Sequence, residues 1–399
     1  MPNFLLFQIK KEVNMKFGTK IIHGYNIIDK ATGASSVSIC QASTFHQNDI
    51  DDDQKYTYSR FGNPTREALE EAIACLEKAD YGLAFSSGMA AITAVLLSFS
   101  SGDHIVMCKD VYGGAFQLAS EIFPRFGIEV TYVDETRTEE WESAVKENTR
   151  AFYMETPSNP LLKITDIKEV VKIAKKHGLL TIIDNTFMTP QYQNPVTMGV
   201  DIVIHSATKF LNGHSDVVLG LVVTNDREIY NSMKKQQIIL GALPGIEECW
   251  LVLRGLKTME IRMEKSCHSA LRIAEYLQNH PKIGKVYYPG LPGHDGYDIH
   301  RNQADSGGAV LSFDLGSCKN VKQFFKHIKY PIVAVSLGGV ESILSYPVKM
   351  SHACVPEEER LRMGITGGLV RLSVGIEDTD DLIEDMEQAL EKIKEDIEI

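Results

Sequence analysis

The chain has 399 residues, of which 44% are hydrophobic and 24% charged, values that are usual for a globular protein with room for two or three domains. With 41 Lys and Arg residues against 53 Asp and Glu residues, the formal net charge is -12, which argues against nucleic acid or an anionic membrane as the main partner. The seven cysteines form no C-x-x-C pair, so they indicate neither disulfides nor a zinc site, and we expect a cytoplasmic protein.

The N-terminal residues 16–61 show little hydrophobic periodicity and include the acidic stretch Asp49–Asp53 and the tripeptide Tyr-Ser-Arg at 58–60. Such a segment is either an arm that reaches a neighbouring subunit or a solvated loop. The apolar patch Phe4–Phe7 has no basic region before it and no small-residue cleavage site after it, so we expect no signal peptide. No apolar run approaches the length of a membrane span, and no membrane is expected as a partner.

From about residue 66 to residue 225, segments with helical periodicity alternate with short apolar or β-branched runs. The runs predict strands at Gly82–Phe85, His104–Cys108, Glu129–Val133, Ala151–Glu155, Leu180–Asp184, Ile202–His205 and Leu219–Val223, and helices at Thr65–Lys78, Met89–Ser98, Tyr112–Phe126 and Ile167–His177. Such alternation predicts an α/β domain, taken as residues 62–250, with a mostly parallel sheet covered on both faces. Ligands of such sheets bind in the loops at the carboxyl ends of the strands.

The C-terminal part has a different pattern. A long helix is predicted at Ile246–His280, followed by strands and a closing helix at Lys285–Tyr288, Gly308–Asp314, Ile332–Ser336, Glu341–Tyr346, Leu369–Val374 and Thr379–Ile397. This pattern predicts a smaller α+β domain, taken as residues 251–399.

The strongest chemical signal lies at residues 201–215, where an apolar strand ends at His205 and leads to Ser206, Thr208 and Lys209. A buried lysine at a strand end loses its proton more easily and can attack a carbonyl group, and neighbouring hydroxyls can bind a phosphate. Taken alone, the pattern Ser-x-Thr-Lys is more often found on a protein surface. The complete segment is much more specific.

Residues 201–215 resemble the cofactor-attachment motif of the Cys/Met-metabolism family of enzymes that use pyridoxal 5'-phosphate (PLP). This family includes cystathionine γ-synthase, the cystathionine lyases and methionine γ-lyase, and the resemblance runs from about Thr19 to Leu390. It implies PLP as a Schiff base on Lys209 and the PLP-dependent transferase fold type I, which is aspartate aminotransferase-like. It also implies a homotetramer whose active sites are shared across a dimer interface, with residues 1–61 as an arm that contacts the neighbouring subunit.

The loop Ser86-Ser87-Gly88-Met89 lies between a predicted strand and a predicted helix, where small residues and free N–H groups favour an anion. An isolated glycine turn would be weak evidence. The resemblance implies that the backbones of Gly88 and Met89 and the hydroxyls of Ser206 and Thr208 hold the cofactor phosphate. It further implies that Tyr58 and Arg60 reach the phosphate from the neighbouring subunit.

Three further residues are candidates for contact with the cofactor ring. Asp184 ends an apolar strand, where it either caps a loop or pairs with a cation, and the resemblance assigns it to the protonated pyridine nitrogen of PLP. The resemblance places Tyr112 in a stack on the ring and makes its hydroxyl the acid for the departing sulfur. It makes Asn159 a ligand of the phenolic oxygen of the cofactor and a neighbour of the substrate.

Substrate binding is predicted on a C-terminal strand. The guanidinium of Arg371 fits a carboxylate bidentately, although a structural salt bridge is an equal reading of this residue by itself. The resemblance favours the substrate carboxylate and adds Ser336 as the companion of Arg371. No histidine pair has the spacing of metal ligands, so no metal is expected.

Two positions depart from the pattern common in enzymes of this family that cleave or make cystathionine. These enzymes often carry Glu where this chain has Val335, and Arg where it has Gln117. Both changes make the distal pocket less charged, which favours a methyl thioether or simple thiol, by roughly tenfold or more for one lost charge-assisted hydrogen bond. Gly114, in contrast, matches cystathionine lyases, because methionine γ-lyases usually have Cys there.

The resemblance therefore predicts a PLP-dependent carbon–sulfur lyase. It would perform α,γ-elimination, with α,β-elimination also open, on methionine, homocysteine or cystathionine, and release 2-oxobutyrate, ammonia and a thiol. A γ-replacement enzyme, such as cystathionine γ-synthase or an O-acetylhomoserine sulfhydrylase, is the alternative. A PLP-binding oligomer without catalysis is a further alternative, which the presence of Lys209, Tyr112 and Asp184 disfavours.

Overall fold

The computed structural model describes residues 15–25, 28–29, 32–51, 53–353 and 355–393. Within these ranges the chain forms two sheets with helices packed on them. The larger hydrophobic core lies around the first sheet, and a second core lies around the other. The α/β large sheet with a smaller α+β part is the arrangement predicted from the sequence.

The large sheet has seven strands among the described residues, arranged in the order β1-β7-β6-β5-β4-β2-β3. They are β1 Tyr81–Phe85, β2 His104–Cys108, β3 Glu129–Val133, β4 Thr149–Glu155, β5 Leu180–Asp184, β6 Ile202–Ser206 and β7 Gly220–Thr224. All neighbouring pairs are parallel except the two that β7 makes with β1 and β6. Strands β2 and β7 are buried along their whole length, as expected for a sheet covered on both faces.

Ten helices precede the second sheet in the described chain. They are α1 Phe17–His23, α2 Pro64–Glu77, α3 Gly88–Leu96, α4 Gly113–Gln117, α5 Thr138–Ser143, α6 Ile167–His177, α7 Thr189–Tyr192, α8 Arg227–Leu240, α9 Ile246–Leu256 and α10 Met259–Gln278. Local sequence explains many of their ends. The Asp166 side chain caps α6 by accepting a hydrogen bond from Glu169 N, and Gly178 ends that helix at φ +66°.

The smaller sheet is mostly antiparallel and has the order β10-β11-β12-β9-β8. Its strands and helices are β8 Val286–Tyr287, α11 Tyr297–Arg301, β9 Val310–Asp314, α12 Cys318–His327, β10 Ile332–Val333, β11 Ile343–Ser345, α13 Glu357–Met363, β12 Leu369–Ser373 and α14 Thr379–Glu391. The closing helix was predicted to end at Ile397, and residues 394–397 lie outside the described ranges. Residues 1–14 of the predicted arm also lie outside them. The domain boundaries at residues 61/62 and 250/251 stay predictions.

The prediction of one helix over Ile246–His280 is wrong, because α9 ends at Leu256 and α10 begins at Met259. The Gly255 carbonyl oxygen accepts hydrogen bonds from Thr258 N at 3.2 Å and from Arg262 Nη2 at 2.8 Å. These bonds occupy the carbonyl group that would continue the helix. Arg262 Nη1 also donates to the Phe210 carbonyl oxygen at 2.8 Å, directly after Lys209.

The predicted helix Tyr112–Phe126 is present in three forms. Helix α4 continues as a π-helical turn at Leu118–Ile122 and a 3-10 turn at Phe123–Phe126, where Pro124 cannot donate a backbone hydrogen bond. Across the described ranges, no helix combines the length and the apolar character that spanning a bilayer requires.

Candidate active site

A cavity of about 670 Å³ opens where strands β4, β5 and β6 end and is closed on another side by residues from the smaller sheet. Of the fourteen residues that the sequence indicated, twelve line it: Gly88, Met89, Tyr112, Gln117, Asn159, Asp184, Ser206, Thr208, Lys209, Val335, Ser336 and Arg371. The parallel strands bring their carboxyl ends to one edge, which explains how residues far apart in sequence meet there.

Lys209 lies in the turn that follows β6, and its amine contacts the cavity. Nζ donates a hydrogen bond to Ser336 Oγ. Burial, assisted by the positive charge of Arg371, lowers the pKa of Lys209 to about 8. A substantial fraction of the amine is therefore neutral near physiological pH, the form needed to attack a carbonyl group or to accept a proton.

The loop at residues 336–339 lies directly against the backbone of Lys209. Gly338 has φ +83°, and a Cβ atom there would lie 2.6 Å from Phe210 N and 2.9 Å from the carbonyl carbon of Lys209. Only glycine meets both demands without displacement of the backbone. Ser336 itself has φ +84°, a strained conformation for a residue with a side chain, and its carbonyl oxygen accepts a hydrogen bond from Arg371 Nη2 at 2.7 Å.

Glu155 and Asp184 are paired in register at the ends of the neighbouring strands β4 and β5. Burial raises the pKa of Asp184, opposed by hydrogen bonds from Thr186, whose backbone N–H donates to Oδ1 at 3.0 Å. Burial and then the charge of Asp184 raise the pKa of Glu155, which accepts a hydrogen bond from Tyr112 N at 2.8 Å. The pair creates a buried position that favours a cation.

The N-terminus of α3 provides a second electrostatic feature of the cavity. Ser87 caps this helix by accepting a hydrogen bond from Ala90 N at 2.9 Å, and Gly88 and Met89 form its first turn. A Cβ atom on Gly88 would lie 3.0 Å from Ser206 Oγ, so the missing side chain allows the serine hydroxyl to approach the helix. The Thr208 hydroxyl accepts a hydrogen bond from Leu219 N at 3.0 Å. Helix N–H groups and hydroxyls together suit a phosphate.

Arg371, on β12, is buried and has a partly unsatisfied guanidinium. Nη1 donates to Asn159 Oδ1 at 2.9 Å and Nη2 to Ser345 Oγ at 3.1 Å, while Nε has no hydrogen-bond partner within the described part of the chain. Burial lowers the pKa of Arg371 to about 10. None of the described carboxylates lies within ion-pair distance of it, so the guanidinium is suited to an external carboxylate.

Four lining residues form an uncharged, mainly apolar patch of the cavity. Val335 and Val218 are 64% and 60% exposed and line the cavity together with Gln117 and Met350. The charged residues among the described lining are Glu155, Asp184, Lys209 and Arg371, none of which is part of this patch.

Tyr58 and Arg60 do not line the cavity of their own chain. The Arg60 guanidinium lies 4.9 Å from the ring centroid of Phe61 and donates to the Ile238 carbonyl oxygen at 3.4 Å, while Tyr58 is 41% exposed. Their predicted place in the active site of a neighbouring subunit stays a prediction.

Glu155 and Thr186 contribute to the site and were missed in the sequence. Thr186 Oγ1 accepts a hydrogen bond from Ser206 N at 2.8 Å, and the Thr186 backbone bonds Asp184, so one residue fixes two site residues. A signal for Glu155 was present, because it is the last residue of a predicted strand and therefore belongs at the ligand-binding edge. The predicted site did not include a metal, and no cluster of metal-ligating side chains occurs in the described ranges.

These features permit a test of whether the cavity fits PLP. The buried acid pair at Asp184 fits a protonated ring nitrogen, and the depressed pKa of Lys209 fits an amine that reacts with the cofactor aldehyde. The first turn of α3 with the hydroxyl of Ser206 fits a phosphate. The residues present therefore suit the cofactor that the resemblance implies.

Comparisons with known proteins agree with this chemistry. The model of the Cys/Met metabolism PLP-dependent enzyme family matches residues 18–391. Cystathionine beta-lyase MetC of Bacillus subtilis is 54% identical over 95% of this chain and 97% of its own length, and cystathionine gamma-lyase of the same organism is 50% identical over 95% and 100%. The crystal structure of cystathionine gamma-lyase from Lactobacillus plantarum, complexed with L-serine, has a TM-score of 0.93 at 45% identity and covers 95% of this chain and 99% of its own.

Proposed function

This chain belongs to the Cys/Met metabolism PLP-dependent enzyme family and has its type I fold, and on that premise we propose that it is a carbon–sulfur lyase acting on sulfur amino acids. The observation that carries the proposal is the arrangement of Arg371 and Lys209 in one cavity. The guanidinium is buried with Nε unpartnered in the described chain, and Lys209 Nζ contacts Ser336, whose carbonyl oxygen binds Arg371. An amino acid bound by its carboxylate would thus present its α carbon to the lysine.

The cofactor contacts follow from the cavity lining. We assign the ring nitrogen to Asp184, the phosphate to the first turn of α3 with Ser206 and Thr208, and the aldehyde carbon to Lys209. When bound, PLP supplies an electron-withdrawing ring that stabilises negative charge on the substrate α carbon.

The protein groups then divide the work of the elimination. Arg371, held by Asn159, binds and orients the substrate carboxylate. The amine of Lys209 removes the proton from the α carbon and afterwards moves a proton at the β carbon. The Tyr112 hydroxyl gives a proton to the departing sulfur, and the turn that carries it is held by the bond from Tyr112 N to Glu155.

The preferred reaction that we propose is α,γ-elimination from substrates without a charged distal group, such as methionine or homocysteine. The apolar patch at Val335, Val218 and Met350, with the neutral Gln117, supports this preference, because it offers no charged partner to a distal ammonium or carboxylate but can pack against a methyl thioether. The products would be 2-oxobutyrate, ammonia and a thiol.

A second candidate reaction is α,β-elimination from cystathionine. It is favoured by the 54% identity to a cystathionine beta-lyase, against 50% for a cystathionine gamma-lyase of the same organism. The products identify the bond that is broken, because β-elimination of cystathionine releases pyruvate and homocysteine.

The deciding experiment supplies L-methionine, L-homocysteine, L-cysteine and L-cystathionine separately to the PLP-loaded protein and identifies the 2-oxo acid and the thiol. 2-Oxobutyrate with methanethiol from methionine would support the proposal, and 2-oxobutyrate with cysteine from cystathionine would make it a cystathionine γ-lyase. Pyruvate with homocysteine would establish the β-elimination. If the protein instead forms no product from these four amino acids and reacts only when it receives an activated homoserine ester together with a thiol, that result would identify a γ-replacement enzyme.

We also propose a homotetramer with shared active sites in the cytoplasm. The exposed Tyr58 and Arg60, outside the cavity of their own chain, support sharing, and the free thiols of Cys40, Cys108, Cys249, Cys267 and Cys318 fit a reducing compartment. Mixing the inactive variants Lys209→Ala and Arg60→Ala should restore activity in hybrid dimers, because one of the two sites regains both residues. No recovery after subunit exchange would contradict sharing, and light scattering would give the number of subunits.

A further inference from the structure

Three charged side chains, Asp110, Glu135 and Lys163, form a cluster outside the cavity lining. The carboxyl groups of Asp110 and Glu135 are fully buried, and Lys163 is 24% exposed. Lys163 Nζ lies 3.0 Å from Asp110 Oδ2 and 3.9 Å from Glu135 Oε1. Glu135 Oε2 also accepts a hydrogen bond from Asp110 N at 3.4 Å, so the cluster holds the backbone of Asp110 as well as its side chain.

The ammonium of Lys163 compensates two buried acids. Burial raises the pKa of Asp110 and raises that of Glu135 to about 7, and the charge of Lys163 opposes both effects. Asp110 Oδ1 and Glu135 Oε1 accept no hydrogen bond from any described residue. Loss of the lysine charge would therefore leave the two acids without a cationic partner, and the ion pair that ties Lys163 to Asp110 would be lost.

The cluster joins two chain segments that each deliver a site residue. Asp110 lies two residues before Tyr112. Lys163 lies four residues after Asn159, at the end of a loop closed by hydrogen bonds from Ser158 N to the Lys163 carbonyl oxygen at 3.0 Å and from Lys163 N to Ser158 Oγ at 3.2 Å. The ion pair between Lys163 and Asp110 thus connects the turn that presents Tyr112 to the loop that presents Asn159.

From this juxtaposition we propose that Lys163 is a positioning residue, which sets the placement of the Tyr112 hydroxyl relative to the carboxylate-binding pair Asn159 and Arg371. The proposal rests on the roles given to Tyr112 and Arg371 in the proposed function. Lys163 itself does not touch the substrate. Replacing Lys163 should therefore slow the step in which Tyr112 protonates the departing sulfur. It should have little effect on a substrate whose leaving group needs no proton.

Two substrates separate these cases. A thioether such as methionine or cystathionine must receive a proton on its departing sulfur. In 3-chloro-L-alanine the Cβ–Cl bond breaks with both electrons going to chloride, which leaves without a proton, and water converts the remaining fragment to pyruvate and ammonia. Lys163→Met should lower kcat for the thioether about tenfold to a hundredfold, because a displacement of the Tyr112 hydroxyl by about 1 Å has an effect of that size. For 3-chloro-L-alanine, kcat should fall less than about threefold, because its leaving group needs no proton.

The controls use residues that the chain itself offers. Lys172→Met removes a lysine whose ion pair with Glu169 has the same 3.0 Å distance but is exposed, and it should leave both rates unchanged. Lys163→Arg should recover most of the thioether rate. In a Tyr112→Phe background, Lys163→Met should cause no further difference between the two substrates.

A readout besides activity checks the integrity of the variant. PLP titrated into the cofactor-free Lys163→Met protein should still give the visible absorption of lysine-bound PLP, because the ion pair holds no residue assigned to the phosphate, the ring nitrogen or the aldehyde carbon, and its affinity should fall only as far as the contacts of Tyr112 and Asn159 with the cofactor weaken. If this variant does not fold, Asp110→Asn/Lys163→Met removes both charges and takes its place, with the same substrate difference expected.

Equal losses for both substrates, or rates like those of Lys172→Met, would overturn the positioning role. Failure of the unmodified protein to cleave any thioether, while it still releases pyruvate from 3-chloro-L-alanine, would instead count against the proposed function.

Discussion

The two walls of the cavity differ in chemistry because they come from different sheets. The large-sheet wall consists of strand ends and carries titratable groups, Glu155, Asp184 and Lys209, whose pKa values burial shifts toward their neutral forms. The small-sheet wall carries Arg371 together with Ser336 and the apolar Val335. In the proposed function, bond making and proton transfer belong to the first wall and recognition of the amino acid to the second. Substitutions should separate along this line.

Lys209→Ala, on the large-sheet wall, should have the largest effect. Without the amine the protein loses both the attachment of PLP and the base at the α carbon, so kcat should fall by about a thousandfold or more. The visible absorption of lysine-bound PLP should disappear, and size exclusion should still show the original assembly. An unchanged spectrum with full turnover would show that another residue carries the cofactor.

Arg371→Lys, on the opposite wall, should spare the spectrum and impair recognition. A lysine keeps the charge but cannot make the paired hydrogen bonds of a guanidinium, and losing one or two charge-assisted bonds should raise KM about tenfold to a hundredfold. The visible absorption of the loaded protein without substrate should remain. Loss of that absorption would mean that the small-sheet wall also holds the cofactor, and the division between the walls would fail.

The sequence predicted residues of both walls, but it did not predict the contacts between them. Asp184 ends an apolar strand and Lys209 lies in the turn after another, so local pattern and the family resemblance pointed to the same residues. The pairing of Glu155 with Asp184 depends on which strands are neighbours, and a motif contains no such information. The contact of Ser336 with Lys209 depends on a backbone at φ +84°, which tertiary packing imposes against local preference.

The same limit applies to the break between α9 and α10. The apolar pattern runs through residues 256–259, and nothing local forbids a continuous helix there. The break follows from the buried guanidinium of Arg262, which takes the Gly255 carbonyl oxygen and the Phe210 carbonyl oxygen together. The contact between Arg262 and Phe210 joins residues about fifty positions apart in the sequence and exists only in the folded chain.

A pH-dependent difference should appear in the stability of the small-sheet side. Burial, assisted by the charges of Arg371 and Arg360, lowers the pKa of His352 to about 4, below the ordinary value of 6.5. Between these values the unfolded chain binds the proton and the folded chain does not, so acidification from pH 7 to pH 5 favours unfolding. This histidine should contribute a loss of about 2 kcal/mol over that interval, by the usual 1.36 kcal/mol per pKa unit.

His352→Gln isolates this contribution from the buried acids of the other wall, whose raised pKa values act in the opposite direction. Urea unfolding of both proteins at pH 7, 6 and 5 should show the variant gaining relative to the original as the pH falls. A difference in the free energy of unfolding that stays constant with pH would mean that His352 is not held in its neutral form.

Val335→Glu should give the smallest effect and tests whether the small-sheet wall sets the leaving group. Val335 is 64% exposed at the cavity mouth, so a glutamate there can remain hydrated and still meet the distal ammonium of cystathionine. One such charge-assisted bond at an exposed position should raise kcat/KM for cystathionine relative to methionine about tenfold. Val335→Gln, which has the same size but no charge, is the matched control and should change the ratio by less than about threefold. An equal change with both variants would mean that size alone acts at this position, and a fall in kcat for both substrates would place Val335 with the catalytic wall.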